Sequence, residues 1–375
     1  MKIAIFTDNF LPGIGGTENA VLRFATMLSK EHEVAVFAPD YHKEFDDGAY
    51  PFKIFRSKSI RVTRNDFWAL PKLTCSLKRA INEFKPDVIH THTLGMMADF
   101  ANSYAKKNGV PVVCTVHTKY RYCYKNALKA RFLVDLVINR IIKRATNADR
   151  VCSVSDSMIS ELESYGLKKP VTVIRNGNNT MPVKEKIYSK TGTLNILYVG
   201  LVIDYKNIGF SLDSLRELKK TTSNFKFKIV GRGPHLKKFK RYVKKIGLLD
   251  NVEFIGAVTD KQKLNELYAE ADILLFTSVF DNDSLVVLEA ANAGTPALVL
   301  NGTGSAERIK DGVTGFVSEG TTESVAKRIL TLMNSRNNIE SVGKRANEIS
   351  VPWESTVKKY LEIYNEEVIK KTNKA

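Results

Sequence analysis

The sequence predicts an α/β protein built on two doubly wound parallel sheets, and three observations carry that expectation. Short apolar runs bounded by turn residues recur along the whole chain, helical patterns fall between most of them, and one aperiodic segment divides the series in two. Strands buried on both faces read as continuous apolar runs, and their alternation with helices marks parallel pairing.

In the first half the strand-like runs are Lys2 to Phe6, Val34 to Ala38, Val88 to His90, Val112 to Val116, Val151 to Val154 and Val171 to Ile174. In the second half they recur at Ile196 to Val199, Phe227 to Val230, Val252 to Ile255, Ile273 to Phe276 and Ala297 to Leu300. Residues 180 to 193 follow neither period and read as a linker. The expected domains are therefore 1–180, a linker at 181–193, a second domain at 194–350 and a terminal helix at 351–375. Val357, Tyr360, Leu361 and Tyr364 recur at helical spacing in that last segment.

Composition fits a globular protein of two domains. With 375 residues, 43% of them hydrophobic, the chain can bury two ordinary cores. Cys75, Cys114, Cys123 and Cys152 form no Cys-x-x-Cys pair and no metal spacing, so they read as buried or free thiols in a reducing compartment. The first residues pass straight into a strand, without the apolar core of a signal peptide. No run reaches the roughly 18 apolar residues of a membrane span. A cytoplasmic protein is expected. The net charge of +17 implies an acidic partner surface, with nucleic acid, anionic lipid and nucleotide phosphate as candidates.

The segment from Phe280 to Pro296 is the most informative. Asp281 sits in a loop, and Glu289 lies eight positions on, inside a helical pattern in which Leu285, Leu288 and Asn292 share a face. Asn282 or Asp283 suits the N-cap, and Gly294 with Pro296 suits the stop. The backbone N–H groups of Asp283, Ser284, Leu285 and Val286 would then be orphan donors at a positive helix end, a site that suits phosphate. An ordinary capped helix with a solvated glutamate would show the same caps.

With its flanking strands and the following Ala-Ala-Asn-Ala-Gly-Thr-Pro, this segment resembles the family 4 retaining glycosyltransferases of the two-Rossmann, GT-B architecture. Their signature is Glu-x7-Glu followed by Ala-x-Ala-x-Gly-x-Pro, so Asp281 is one methylene shorter than the family's first acid. Other positions match in order. Gly13-Ile14-Gly15-Gly16-Thr17-Glu18 follows the first strand, and the resemblance makes Gly15 and Gly16 the loop over the donor diphosphate. Read from its residues alone, the loop is also a plain glycine turn or a dinucleotide fingerprint lacking its third glycine. His117, at the end of the run Val112 to Val116, matches the histidine that contacts the donor sugar. His90-Thr91-His92 has no third ligand at a recognisable offset and reads as a structural or acceptor-side pair.

In the second half, Gly200-Leu201 followed by Lys206 stands where the family has Gly-Arg followed by Lys. Lys206 is then a diphosphate cation, and Leu201 replaces its partner. Gly231-Arg232-Gly233-Pro234 and Gly256-Ala257-Val258 match the loops that hold the nucleobase, with Arg232 the side chain able to stand in for the lost arginine. Gly302-Thr303-Gly304 matches a loop near the donor sugar.

The resemblance implies a retaining transfer of a sugar from a UDP-sugar or GDP-sugar to an acceptor hydroxyl, in a cleft between an acceptor-side first domain and a donor-binding second domain. It implies no cofactor and no bound metal, and a terminal helix that crosses back to the first domain. Catalysis falls to His117, Asp281 and Lys206. Donor binding falls to Gly15, Gly16, Lys206, Arg232, Gly233, Val258, Asn282, Asp283, Ser284, Leu285 and Glu289.

Between Lys106 and Arg144 ten basic residues, among them Lys125, Lys129, Arg131 and Arg144, interleave with apolar ones against the single acid Asp135. Such a segment suits an anionic membrane surface, and equally a solvated helix face. His117-Thr118-Lys119-Tyr120 resembles the His-Thr-x-Tyr of diacylglycerol glucosyltransferases in this family. The acceptor expected is a lipid or lipid-linked glycan at the cytoplasmic membrane face, as in cell-surface polysaccharide synthesis. A soluble acceptor and a non-catalytic sugar-nucleotide binder are the alternatives. No aromatic-interleaved basic motif points to nucleic acid.

Overall fold

The computed structural model describes residues 1–13, 15–62, 67–127, 130–178, 186–188 and 192–373. Most of the expected linker lies outside these residues. The chain divides into two compact units, Met1–Gly177 with Trp353–Ala375, and Asn178–Pro352.

The first unit contains β1 (Lys2–Phe6), β2 (Glu33–Pro39), β3 (Lys53–Ser57), β4 (Ser59–Arg61), β5 (Phe67–Ala69), β6 (Val88–Thr91), β7 (Val112–Val116), β8 (Arg150–Ser153) and β9 (Val171–Val173). Seven of them form one sheet in the order β3-β2-β1-β6-β7-β8-β9, and every pair in it is parallel. The chain winds outward from β1 in one direction through β2 and β3, then in the other through β6. The crevice between the carboxyl ends of β1 and β6 is thus the topological switch point of this unit. All six expected strands are present. Of the three missed, β3 has its apolar pair Ile54-Phe55 cut short by Arg56, and β4 and β5 span three residues each, so none offers an apolar run long enough to read.

The second unit contains β10 (Leu194–Val199), β11 (Phe225–Val230), β12 (Val252–Gly256), β13 (Ile273–Phe276), β14 (Ala297–Leu300) and β15 (Phe316–Ser318). They form one sheet in the order β12-β11-β10-β13-β14-β15, again parallel throughout. Its switch point lies between β10 and β13. Edge strand β15, three residues long, is the one that the apolar pattern misses.

The terminal helix Trp353–Thr372 is part of the first unit. Tyr364 and Tyr360 on its buried face reach the sheet: the Tyr364 hydroxyl lies 2.5 Å from Nδ1 of His90, and the Tyr360 hydroxyl 2.9 Å from Oγ1 of Thr115. Thr115 in turn bonds Nε2 of His90 at 2.8 Å. Both ring nitrogens of His90 are therefore engaged in fastening this helix.

Candidate active site

At the switch point of the second unit two loops meet. The loop after β10 carries the 3-10 turn Asp204–Lys206, and the loop after β13 carries Asp281. Lys206 Nζ lies 2.5 Å from Asp281 Oδ1, with the two side chains 16% and 18% exposed. The second oxygen, Oδ2 of Asp281, is buried and has no hydrogen-bond partner among the described residues. Of the three residues expected to act in catalysis, Lys206 and Asp281 thus share one site, while His117 belongs to the other unit.

The lysine is held from behind. Asn207 adopts a left-handed backbone (φ 60°), and its side-chain amide donates to the Thr277 carbonyl at 3.0 Å. Thr277 Oγ1 donates back to the Asn207 carbonyl at 3.2 Å and meets Ser211 Oγ at 2.8 Å. This reciprocal pair ties the β10 loop to the end of β13. No sequence motif pointed to it, because Asn207 and Thr277 are 70 positions apart.

The helix after Asp281 runs Leu285–Asn292, with Ser284 at the N-cap and no side-chain cap bond. The N-cap position is thus Ser284, not the expected Asn282 or Asp283. Instead both oxygens of Asp283 accept from Nε and Nη2 of Arg308 at 2.7 Å each, in a pair that is 6% and 2% exposed. A carboxylate this deeply buried requires a charge partner, and that demand overrides capping. The helix is also buried more broadly than one face, since Leu285, Val287, Leu288, Ala290 and Ala291 are all inside. Asn292 accepts from Ser350 Oγ at 3.1 Å. Glu289 accepts from the buried Tyr268 hydroxyl at 3.1 Å, which fixes its orientation. Gly304 packs so closely on Asn282 that a Cβ would meet the Asn282 carbonyl oxygen at 2.3 Å, so the loop after β14 adjoins the same helix start.

The three βα loops at the other side of β10 are laced by backbone bonds: Gly200 N–H to Val230 O at 3.0 Å, Gly231 N–H to Gly256 O at 2.8 Å, and Val202 N–H to Arg232 O at 3.0 Å. A Cβ on Gly231 would fall 1.8 Å from the Gly200 carbonyl oxygen, and one on Gly233 would fall 2.2 Å from that of Val202. These glycines are therefore required by close backbone approach. Arg232 is exposed on this edge, Val258 is half-buried on the next loop, and Leu201 is half-buried with its carbonyl accepting from Tyr198 OH at 3.0 Å.

In the first unit the helix Gly16–Leu28 has Gly15 at its N-cap. A Cβ on Gly15 would meet Oε2 of Glu18 at 2.4 Å, so the Glu18 carboxylate lies over the turn, while Gly16 is open. At this unit's switch point Asp8, which sequence reading passed over, accepts from Thr93 Oγ1 at 2.6 Å, Gly95 N–H at 3.0 Å and Met97 N–H at 3.1 Å. Burial pushes its carboxyl up, against those hydrogen bonds. Asp8 reads as the cross-link between the ends of β1 and β6.

His117, half-buried at the end of β7, has Nε2 at 3.0 Å from His92 Nδ1, and the rings stack at 5.3 Å. His92 packs on His90 with centroids 4.0 Å apart. Burial pushes His117 down to about 4, and drives His90 and His92 well below the usual imidazole range. Three neutral imidazoles result. Among the described residues no group of three or more His, Cys, Asp or Glu side chains is arranged to hold a metal ion.

In the basic segment, the helices Tyr120–Ala127 and Arg131–Asn147 separate two kinds of charge. Arg144 is bound by both oxygens of Asp99 at 2.6 and 2.7 Å, and Arg121 by Asp135 at 2.8 Å, so these two serve the fold. Lys125 is exposed, and Phe132, Leu133 and Leu136 project to solvent from the second helix. Lys129 lies outside the described residues. Among the described residues no helix is long and apolar enough to cross a membrane.

Two family models match consecutive stretches of the chain, Glycosyltransferase Family 4 over residues 14–181 and Glycosyl transferases group 1 over residues 181–349. The alpha-monoglucosyldiacylglycerol synthase of Acholeplasma laidlawii is 25% identical over all of this chain and 99% of its own. A GDP-mannose-dependent alpha-mannosyltransferase of Corynebacterium glutamicum is 25% identical over 84% of this chain and 76% of its own. Among solved structures, Anabaena HepE in complex with UDP and glucose superposes with a TM-score of 0.76 at 17% identity, covering 97% of this chain and 99% of that one.

Proposed function

Because the chain belongs to the family 4 glycosyltransferases, has the GT-B fold and takes a nucleotide-sugar donor, we propose that it transfers the sugar of a UDP-sugar or GDP-sugar to a lipid or lipid-linked glycan with retention of configuration. The observation that carries the donor side is the Lys206–Asp281 pair at the switch point, with Asp281 Oδ2 buried and unpartnered. In this reading Asp281 Oδ2 accepts from a donor-sugar hydroxyl. The diphosphate shares Lys206 with Asp281, beside the N-terminal amides of the helix Leu285–Asn292. Glu289, oriented by Tyr268, takes the ribose hydroxyls, and the loops at Arg232, Gly233 and Val258 take the base largely through backbone groups. As the bond from the anomeric carbon to the diphosphate breaks, negative charge grows on the leaving oxygen. Lys206 and the helix-start amides stabilise that charge without a bound metal.

In the same reading the first unit contributes the open Gly16 turn as a candidate for the diphosphate and neutral His117 as a candidate for the donor sugar. Near pH 7 the His117 ring adds no charge, and it serves as a hydrogen-bonding surface. The acceptor side rests on the outward Phe132, Leu133 and Leu136 beside exposed basic residues, and on the relative named alpha-monoglucosyldiacylglycerol synthase. Such a helix suits the cytoplasmic face of the cell membrane, in the assembly of a cell-envelope glycolipid or glycan.

A mass-spectrometric screen of UDP-sugars and GDP-sugars against lipid and oligosaccharide acceptors, with and without EDTA, tests the whole reading. A glycolipid formed equally in EDTA is expected. Donor binding without turnover on any acceptor would leave a binder, and a product only with oligosaccharides would leave a soluble acceptor.

A further inference from the structure

The ribbon β4/β5 wears its apolar side chains outward. Its antiparallel register sets Ile60 opposite Trp68, so these two project from one face, while Ser59 with Ala69 and Arg61 with Phe67 belong to the other. The second face meets the protein: Ala69 is buried, and Phe67 packs on Tyr41 at 5.0 Å. The first face meets solvent, with Ile60 55% and Trp68 65% exposed. Val62 is 46% exposed and Leu73, in the turn Pro71–Leu73, 67% exposed. An antiparallel ribbon with one solvated face ordinarily puts polar residues there.

Charge says what covers it. Lys58, Arg61, Lys72, Lys78 and Arg79 are all exposed, and from 58 to 79 the sequence carries six basic residues against the single acid Asp66. Exposed tryptophan and branched apolar side chains ringed by cations match the boundary between headgroups and acyl chains of an anionic bilayer. Position agrees, since β5 and the Pro71–Leu73 turn contact the helix Met96–Asn108, which also contacts the helix Arg131–Asn147. Two apolar and basic patches thus flank one helix of the same unit.

We propose that the ribbon β4/β5 is an insertion wedge for an anionic lipid bilayer, with Trp68 and Ile60 entering the acyl boundary and the surrounding lysines and arginines pairing with lipid phosphates. The proposal rests on the membrane-associated acceptor reading and adds to it a second, separate anchoring element.

The chain supplies its own reporter. Trp68 and Trp353 are its two tryptophans, and Trp353 is 1% exposed. The full-length protein is titrated with phosphatidylcholine vesicles with and without phosphatidylglycerol, some brominated on the acyl chain, while sedimentation is followed in parallel. A blue shift of tryptophan emission with bromine quenching, present only with the anionic lipid and lost in Trp68→Phe, is expected. The double variant Ile60→Ser with Trp68→Ser should weaken vesicle binding at least tenfold. Sedimentation with unshifted, unquenched emission would overturn the wedge and leave the helix Arg131–Asn147 as the membrane contact. Failure to sediment at low salt would overturn both. A blue shift that grows with protein concentration in the absence of lipid would instead make the ribbon a contact between copies of the chain.

Discussion

Asp281 and Lys206 hold each other at 2.5 Å, so each substitution tests both. Removing the lysine takes away a cation that faces developing charge, and Lys206→Ala should lower kcat/KM by at least an order of magnitude, about 1.4 kcal/mol of transition-state stabilisation. Asp281→Ala should also lose activity, and Asp281→Glu, which restores the family's longer acid, should retain it. Wild-type turnover in Asp281→Ala would reduce the position to an anchor for the lysine. Glu289→Ala removes an acceptor already aimed by Tyr268 and should weaken donor binding by about 1.5 to 3 kcal/mol, measured by calorimetry. Unchanged affinity would move the ribose site elsewhere.

At the scale of an element, the helix Leu285–Asn292 depends on a charge pair outside itself. Arg308 neutralises Asp283 just before the N-cap and also donates to the Ile349 carbonyl at 3.0 Å. Breaking one side of so buried a pair strands the other charge, so Arg308→Ala should destabilise the second unit by about 3 to 5 kcal/mol in denaturant titration. The double variant Arg308→Met with Asp283→Leu should recover part of that loss. A single variant as stable as the wild type would show that Asp283 finds another partner.

Across the whole molecule, the buried imidazoles make stability depend on acid. His90, His92 and His117 have folded-state pKa values below the unfolded value near 6.5. Below that pH the unfolded chain binds protons that the native state refuses. Stability should therefore hold above about pH 7 and fall as pH drops from 6.5 toward 4. Asp8, whose carboxyl is raised, works in the opposite sense and offsets part of the loss. Urea midpoints at pH 7.5, 6 and 5 should decline in that order, and His92→Gln should flatten the decline. A constant midpoint across this range would mean that the imidazoles are hydrated in solution.

Sequence alone determined the two parallel sheets, because strands buried on both faces must be written as continuous apolar runs, and eleven of the fifteen strands are legible that way. It determined the family too, since glycine turns and strand-end polar residues keep fixed local spacing. The glycines at 231 and 233 could be noted as turns, but that each is required by the approach of another loop's carbonyl became visible only in three dimensions. Tertiary structure alone decided which carboxylate is available to a ligand. Asp281 and Asp283 are two positions apart and chemically alike, yet Arg308 arrives 25 positions later to claim the second, while Lys206 meets only one oxygen of the first. It also decided that Trp68 faces solvent, for in a three-residue strand the pattern is too short to tell inside from outside, and the register with Ile60 fixes the face. Local patterns encode what a residue requires of its own backbone and burial. Partners distant in sequence are supplied by the fold, and the charge and exposure of a site depend on those partners.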